Sequence, residues 1–180
     1  MKKIGIIGGS GLDDPDILDQ TQEVTVITPY GEPSAPLTCG TIDGVEVLLL
    51  GRHGRNHQFS PSEVNYRANI AALKEQGATH ILATTACGSL REDIRRGDFV
   101  IPDQFIDFSR KRQNTFYDSF ADCGLSAHTP MADPFDEDMR RSLLDCGREL
   151  GLRVHDGGTV VTIAGPRFST RAESKMFRTW

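Results

Sequence analysis

The chain has 180 residues, 38% of them apolar, with 18 Gly and a formal charge of −5 from 25 acidic and 20 basic side chains. That is core material for one globular domain spanning residues 1–180, with no signature of disorder. The acidic balance argues against a nucleic-acid partner held by bulk charge, and no apolar run approaches the roughly 20 residues of a membrane span.

Lys3–Gly8 is a short apolar run ending in Gly8-Gly9-Ser10-Gly11, and it reads as a first strand rather than a signal peptide because the glycines break it. Residues 23–27 and Leu37–Ile42 read as strands, and Asp43-Gly44 is a two-residue hairpin turn into a strand over 45–50. Ser60-Pro61-Ser62-Glu63 combines an N-cap serine, a proline at the first helical position and a capping-box glutamate. It predicts a helix that runs to Gln76 and stops at Gly77. Residues 79–84 and Phe99–Ile101 read as buried strands, and residues 109–126, polar and aperiodic, as the longest loop. Asp133-Pro134 opens a second helix whose apolar stripe is Phe135, Met139, Leu143, Cys146 and Leu150, closed by Gly151. Thr159–Ile163 is the last strand, and Thr170 with Glu173 caps a third helix that reaches Trp180 without a stop signal.

An early hairpin followed by strand–helix alternation predicts an α/β domain whose largely parallel or mixed sheet is covered on both faces. Such sheets bind ligands beyond the carboxyl ends of their strands. Cys39, Cys87, Cys123 and Cys146 include no C-x-x-C pair, which excludes zinc-ribbon and thioredoxin-type sites; they read as reduced core thiols of a cytoplasmic protein.

Four segments at strand ends carry candidate chemistry. The Gly8–Gly11 cluster lets backbone N–H groups approach an anion, with Ser10 adding a hydroxyl, although a plain tight turn uses the same glycines. It matches neither G-x-G-x-x-G nor a Walker A loop. Gly51-Arg52-His53-Gly54-Arg55-Asn56-His57 suits a phosphate or carboxylate, the alternative being a solvated basic turn. Thr84-Thr85-Ala86-Cys87-Gly88-Ser89 can complete an anion cradle; Cys87 has no neighbouring activating group in the sequence. In Gly165-Pro166-Arg167-Phe168-Ser169-Thr170, Phe168 either stacks on a planar base or fills a strand–helix junction. His128 follows the long loop and either reaches a ligand or is simply exposed; His155 reads as part of a polar turn. Asp13, Asp14 and Asp16 read as an early helical turn rather than a metal site.

Taken in order, these segments resemble the trimeric-type purine nucleoside phosphorylase family. Val64-Asn65-Tyr66-Arg67-Ala68-Asn69 and Asp103-Gln104-Phe105-Ile106-Asp107 extend the match along essentially the whole chain. The wording Thr-Thr-Ala-Cys-Gly-Ser and Gly-Pro-Arg-Phe-Ser resembles the branch that cleaves methylthioadenosine. Ala164 departs from it, because that branch commonly has Glu there, and is more like the inosine/guanosine branch. The resemblance implies a three-layer α/β fold, a mixed central sheet flanked by helices, here without the family's C-terminal part. It implies phosphorolysis with inorganic phosphate as co-substrate, and neither a metal nor an organic cofactor. The implied phosphate site is Ser10, Arg52, His53, Thr85 and the backbone of Ala86. Phe168 and Ser169 would lie beside the nucleoside, and His128 would reach the ligand of a neighbouring subunit in a homotrimer. The family's leaving-group aspartates fall beyond Trp180, so no catalytic residue is assigned within the chain. The rivals are an inosine/guanosine or methylthioinosine phosphorylase, a non-catalytic phosphate- or nucleoside-binding remnant, and, disfavoured by the missing third glycine, a dinucleotide-binding oxidoreductase.

Overall fold

A computed structural model of the chain describes residues 2–9, 12, 14–110, 112–119, 121 and 128–180. Ser10 and Cys123 lie outside the described residues. The chain divides into two compact units, Met1–Cys87 with Arg112–Phe116, and Gly88–Lys111 with Tyr117–Trp180.

The first unit is built on strands β1 (Lys3–Gly8), β2 (Asp19–Val24), β3 (Leu37–Ile42), β4 (Val45–Gly51) and β5 (His80–Ala83). Their order is β2-β3-β4-β1-β5, with β1 parallel to both β4 and β5 and β3 antiparallel to β2 and β4. The sheet is therefore mixed, as expected. Because side chains alternate along a strand, two cores form on opposite faces. Ile7, Leu37, Leu48 and Leu50 pack with Ala72 and Leu73 of helix α1 (Tyr66–Glu75). Ile6, Val47 and Leu49 pack with Leu18 on the other side. Asp43 (φ 47°) and Gly44 (φ 78°) make the hairpin turn, both in the left-handed region that a primed turn requires.

Two sequence expectations shift in this unit. The second strand is Asp19–Val24 rather than 23–27; its polar side chains give no periodic signal, and pairing with β3 places it. The predicted helix start at Ser60 is a single turn: Ser60 N–H donates to Glu63 Oε2 (2.9 Å), but the helix proper begins at Tyr66. Asn65 recaps the chain there, its Oδ1 accepting from Ala68 N–H (3.2 Å) while its amide donates to the Tyr30 carbonyl (2.8 Å). The stop at Gly77 stands, with φ +85° and Ala78 N–H returning to the Leu73 carbonyl (3.0 Å).

The second unit holds two parallel pairs, β6 (Phe99–Ile101) with β8 (Val154–Asp156) and β7 (Gln104–Phe108) with β9 (Thr159–Ile163). Helices α2 (Glu137–Glu149) and α3 (Arg171–Thr179) complete it. His155 is in β8, not a turn, and its Nε2 lies 2.7 Å from the carboxylate of Asp98, which also pairs with Arg153 (3.0 Å). Helix α2 is capped by Asp136 rather than Asp133, so Phe135 lies outside it. Its predicted apolar stripe is only partly buried: Leu144 and Gly147 are buried and Met139 and Leu143 half-buried, whereas Cys146 and Leu150 are exposed. Gly147 lies against β8, where a Cβ would meet Val154 Cγ2 at 2.3 Å. Cys87 is likewise exposed, so neither it nor Cys146 is the core thiol expected. At the far end Phe177 packs edge-on against Phe108 (5.3 Å) and beside Trp180 (5.4 Å). Among the described residues no helix is long and apolar enough to cross a membrane.

Candidate functional site

In the first unit the parallel registers Ile7↔Leu50 and Ile7↔Ala83 bring the carboxyl ends of β4, β1 and β5 level with one another. Two backbone bonds extend the ladders past the strands: Arg52 N–H donates to the Gly8 carbonyl (3.0 Å) and Thr84 N–H to the Ile7 carbonyl (3.1 Å). The Arg52 side chain then crosses the strand ends and donates Nη1–H to the Thr84 carbonyl (2.7 Å). A Cβ at Gly9 would lie 2.5 Å from Arg52 Nη2, so a larger residue there would push the guanidinium from its place over the end of β1. Arg52, His53, Thr85 and Ala86 thus share one end of one sheet, with Thr85 and Ala86 exposed. A fixed guanidinium beside exposed small residues at strand ends is equipped to hold a tetrahedral anion.

His53 is held by the turn that follows it. Its Nδ1 lies 2.9 Å from the Phe59 carbonyl, and Phe59 N–H returns to the His53 carbonyl (3.1 Å). Gly54 (φ +79°) sits against the Gln58 amide, where a Cβ would come within 2.5 Å. His57, the second histidine of the predicted anion segment, stacks on His53 with centroids 6.0 Å apart and planes at 17°, from a backbone φ of 51°. The Arg55–Glu23 ion pair ties this turn to β2. The Cys87 thiol is pushed up by desolvation, with the charge of Arg52 opposing. A thiol held in its neutral form is a poor nucleophile.

Phe168, Ser169 and His128 belong to the second unit. Phe168 and Ser169 lie on the connection from β9 to α3, after the cis Gly165-Pro166 bond. Phe168 is 91% exposed, which removes the junction-core reading. Ser169 Oγ is 2.7 Å from Ser174 Oγ, and His128 is exposed. Arg167 grips Glu173 through both guanidinium nitrogens (2.7 Å each), and the Glu173 carboxylate accepts from Thr170 N–H (2.7 Å), closing the expected capping box. Among the described residues no three His, Cys, Asp or Glu side chains are grouped to hold a metal ion.

The Arg167 guanidinium, and after it the Thr170 amide, hold the Glu173 carboxyl at about 2. A carboxyl depressed in the folded state contributes stability above its unfolded value, about 4.3, which is lost as pH falls through the folded value. Amide exchange protection in Arg171–Thr179 is therefore expected to fall as pH drops from 5 towards 2. Glu173→Gln should flatten that dependence; an unchanged profile in the variant would show that another group is responsible.

A family model described as Phosphorylase superfamily matches residues 3–180. The chain is 59% identical over 179 residues to S-methyl-5′-thioadenosine phosphorylase of Danio rerio, covering 99% of this chain and 64% of that protein. It is 58% identical over 179 residues to the protein of the same name from Drosophila melanogaster, covering 99% of this chain and 62% of that one. Among solved structures, methylthioadenosine phosphorylase from Schistosoma mansoni in complex with adenine superposes with a TM-score of 0.91 at 45% identity, covering 99% of this chain and 68% of that one. The chain therefore spans just under two thirds of the length of the curated relatives it matches. With the family model spanning nearly every residue, the chain belongs to the phosphorylase superfamily.

Proposed function

We propose that the protein cleaves S-methyl-5′-thioadenosine by phosphorolysis, releasing adenine and 5-methylthioribose 1-phosphate. The observation that carries this reading is Arg52 laid across the level ends of β1, β4 and β5, with His53, Thr85 and Ala86 beside it. The names of the relatives and the adenine complex of the Schistosoma mansoni protein support the choice of substrate. Phosphate is the attacking anion. The transition state is oxocarbenium-like, so an anion fixed on one face of the sugar both attacks and stabilises the developing positive charge. Little covalent chemistry falls to the protein, and no cofactor takes part. In the same reading the protein is a cytoplasmic homotrimer, Ser10 joins the anion site, Phe168 and Ser169 line the nucleoside, and His128 serves a neighbouring subunit's ligand. Ala164 supports a second reading, an inosine/guanosine phosphorylase, which direct substrate comparison separates.

The test is adenine release from methylthioadenosine in the presence and absence of phosphate, with inosine as the comparison. Phosphate-dependent release of adenine is expected, and release from inosine alone would move the assignment to the other branch. Phe168→Ala adds a second arm. An aromatic stacked on a base contributes about 1–3 kcal/mol, so the nucleoside KM should rise about tenfold or more. With 91% of Phe168 exposed, little packing is lost and the melting temperature should stay in place.

A further inference from the structure

We infer that His53 is neutral in the empty site and becomes a cation when the anion binds, so that each anion enters with one proton taken from solvent. This deepens the reading of Arg52 and His53 as an anion cradle and rests on it. The Phe59 carbonyl, 2.9 Å from His53 Nδ1, can only accept, so the Nδ1 proton is committed to that bond. In a neutral imidazole the other nitrogen, Nε2, then carries a lone pair and no proton. Arg52 meets that lone pair: its Nε–H points at His53 Nε2 across 3.5 Å, the outer limit of a hydrogen bond. The empty geometry therefore presents a lone pair, not a proton, at His53 Nε2.

An anion reverses that preference. To donate to a phosphate oxygen, His53 Nε2 must acquire a proton, which leaves two cationic donors, Arg52 Nε–H and His53 Nε2–H, facing each other across 3.5 Å. Only a negative group between them relieves the repulsion. The balance is neutral imidazole plus dianion plus one solvent proton giving imidazolium paired with dianion; no other bond forms or breaks. The charged and titratable groups around His53 among the described residues are Arg52 and His57 on its own turn, the Arg55–Glu23 pair linking that turn to β2, and Cys87 after β5, close enough to sense Arg52. None of the described groups is a carboxylate placed against His53 Nε2, and on this inference the balancing charge comes from the ligand.

Sulfate is the sharpest probe, because it is a dianion with no proton to give anywhere between pH 6 and 9. Titration calorimetry at pH 8, above the usual imidazole range near about 6.5, run in buffers of different ionisation enthalpy, should report close to one proton taken up per sulfate bound. Sulfate Kd should rise about tenfold per pH unit there, while inorganic phosphate, which can bring its own proton at lower pH, weakens less steeply. In ¹⁵N spectra of the wild-type protein, sulfate should move the His53 Nε2 resonance from the unprotonated to the protonated range. His53→Gln supplies an N–H donor that needs no proton, so its sulfate affinity should lose this pH dependence. Anion binding with no proton uptake and an unmoved Nε2 resonance overturns the inference and leaves the cradle standing. Failure of both sulfate and phosphate to bind at any pH overturns the cradle itself.

Discussion

Arg52→Ala is expected to lower kcat/KM for phosphate-dependent cleavage of methylthioadenosine about 100-fold or more, the loss seen when a preorganised charged donor is removed from a developing transition state. The geometry explains why the loss should be that large. One guanidinium holds the Thr84 carbonyl through Nη1 and lies over Gly9 through Nη2, so a single planar group sets the spacing of three strand ends. Arg52→Lys keeps the charge but offers one compact ammonium, which cannot hold Thr84 and grip an anion at once, and it should recover little. Gly9→Ala is the complementary probe: its methyl would lie 2.5 Å from Nη2 and must push the guanidinium aside, raising the phosphate KM without removing any charge. Phosphate KM values near wild type in Arg52→Ala would refute the placement of the anion here.

The parts of the fold that could be read in advance are those decided within a few residues. The Asp43-Gly44 turn, the stop at Gly77 and the Thr170–Glu173 box are each set by local backbone preference and a short-range hydrogen bond. The parts that could not are decided by distant partners. Asn65 displaces Ser60 as the cap because Tyr30, far away in the chain, accepts from its amide. Helix α2 buries Gly147 against Val154 while Cys146 and Leu150 stay exposed, a contact no periodicity encodes. Strand β2 has no apolar pattern, and β8 is a three-residue segment whose His155 is recruited by Asp98.

The candidate site follows the same division. Arg52 and His53 could be singled out as candidates because they follow directly on the apolar strand β4, at a strand end where ligands bind, although a solvated basic turn uses the same residues. What controls His53 was not legible, since the Phe59 carbonyl is a backbone acceptor that any residue would supply. The stacking of His57 on His53 also depends on a left-handed backbone that a histidine rarely adopts. The exposure of Phe168 argues only against the core half of an ambiguity that strand–helix junctions carry, because an aromatic there serves the core and a ligand equally well by sequence.

Leu73→Ala is expected to cost the first unit a large share of its stability. Leu73 is 0% exposed on α1 and packs among Ile7, Leu48 and Leu50, so its truncation should cost about 2–5 kcal/mol, the lost transfer free energy plus the cavity left behind. Gly5 of β1 decides how far that cavity can be repaired. A methyl at position 5 would lie 3.2 Å from Leu73 Cδ1 and 3.3 Å from Cδ2, tighter than an ordinary contact, so Gly5→Ala alone should destabilise by about 1–3 kcal/mol. In the Leu73→Ala background those δ carbons are gone and the added methyl enters the vacated space. The two substitutions should then be non-additive, with a favourable coupling of about 1 kcal/mol or more by denaturant titration. Simple additivity would mean that β1 and α1 are not held apart by this contact. The same cycle separates packing from chemistry: the cluster around Leu73 includes none of the described anion-site residues, so sulfate affinity measured on the folded fraction should be unchanged in every member, whereas Arg52→Ala should abolish binding in a protein that still folds.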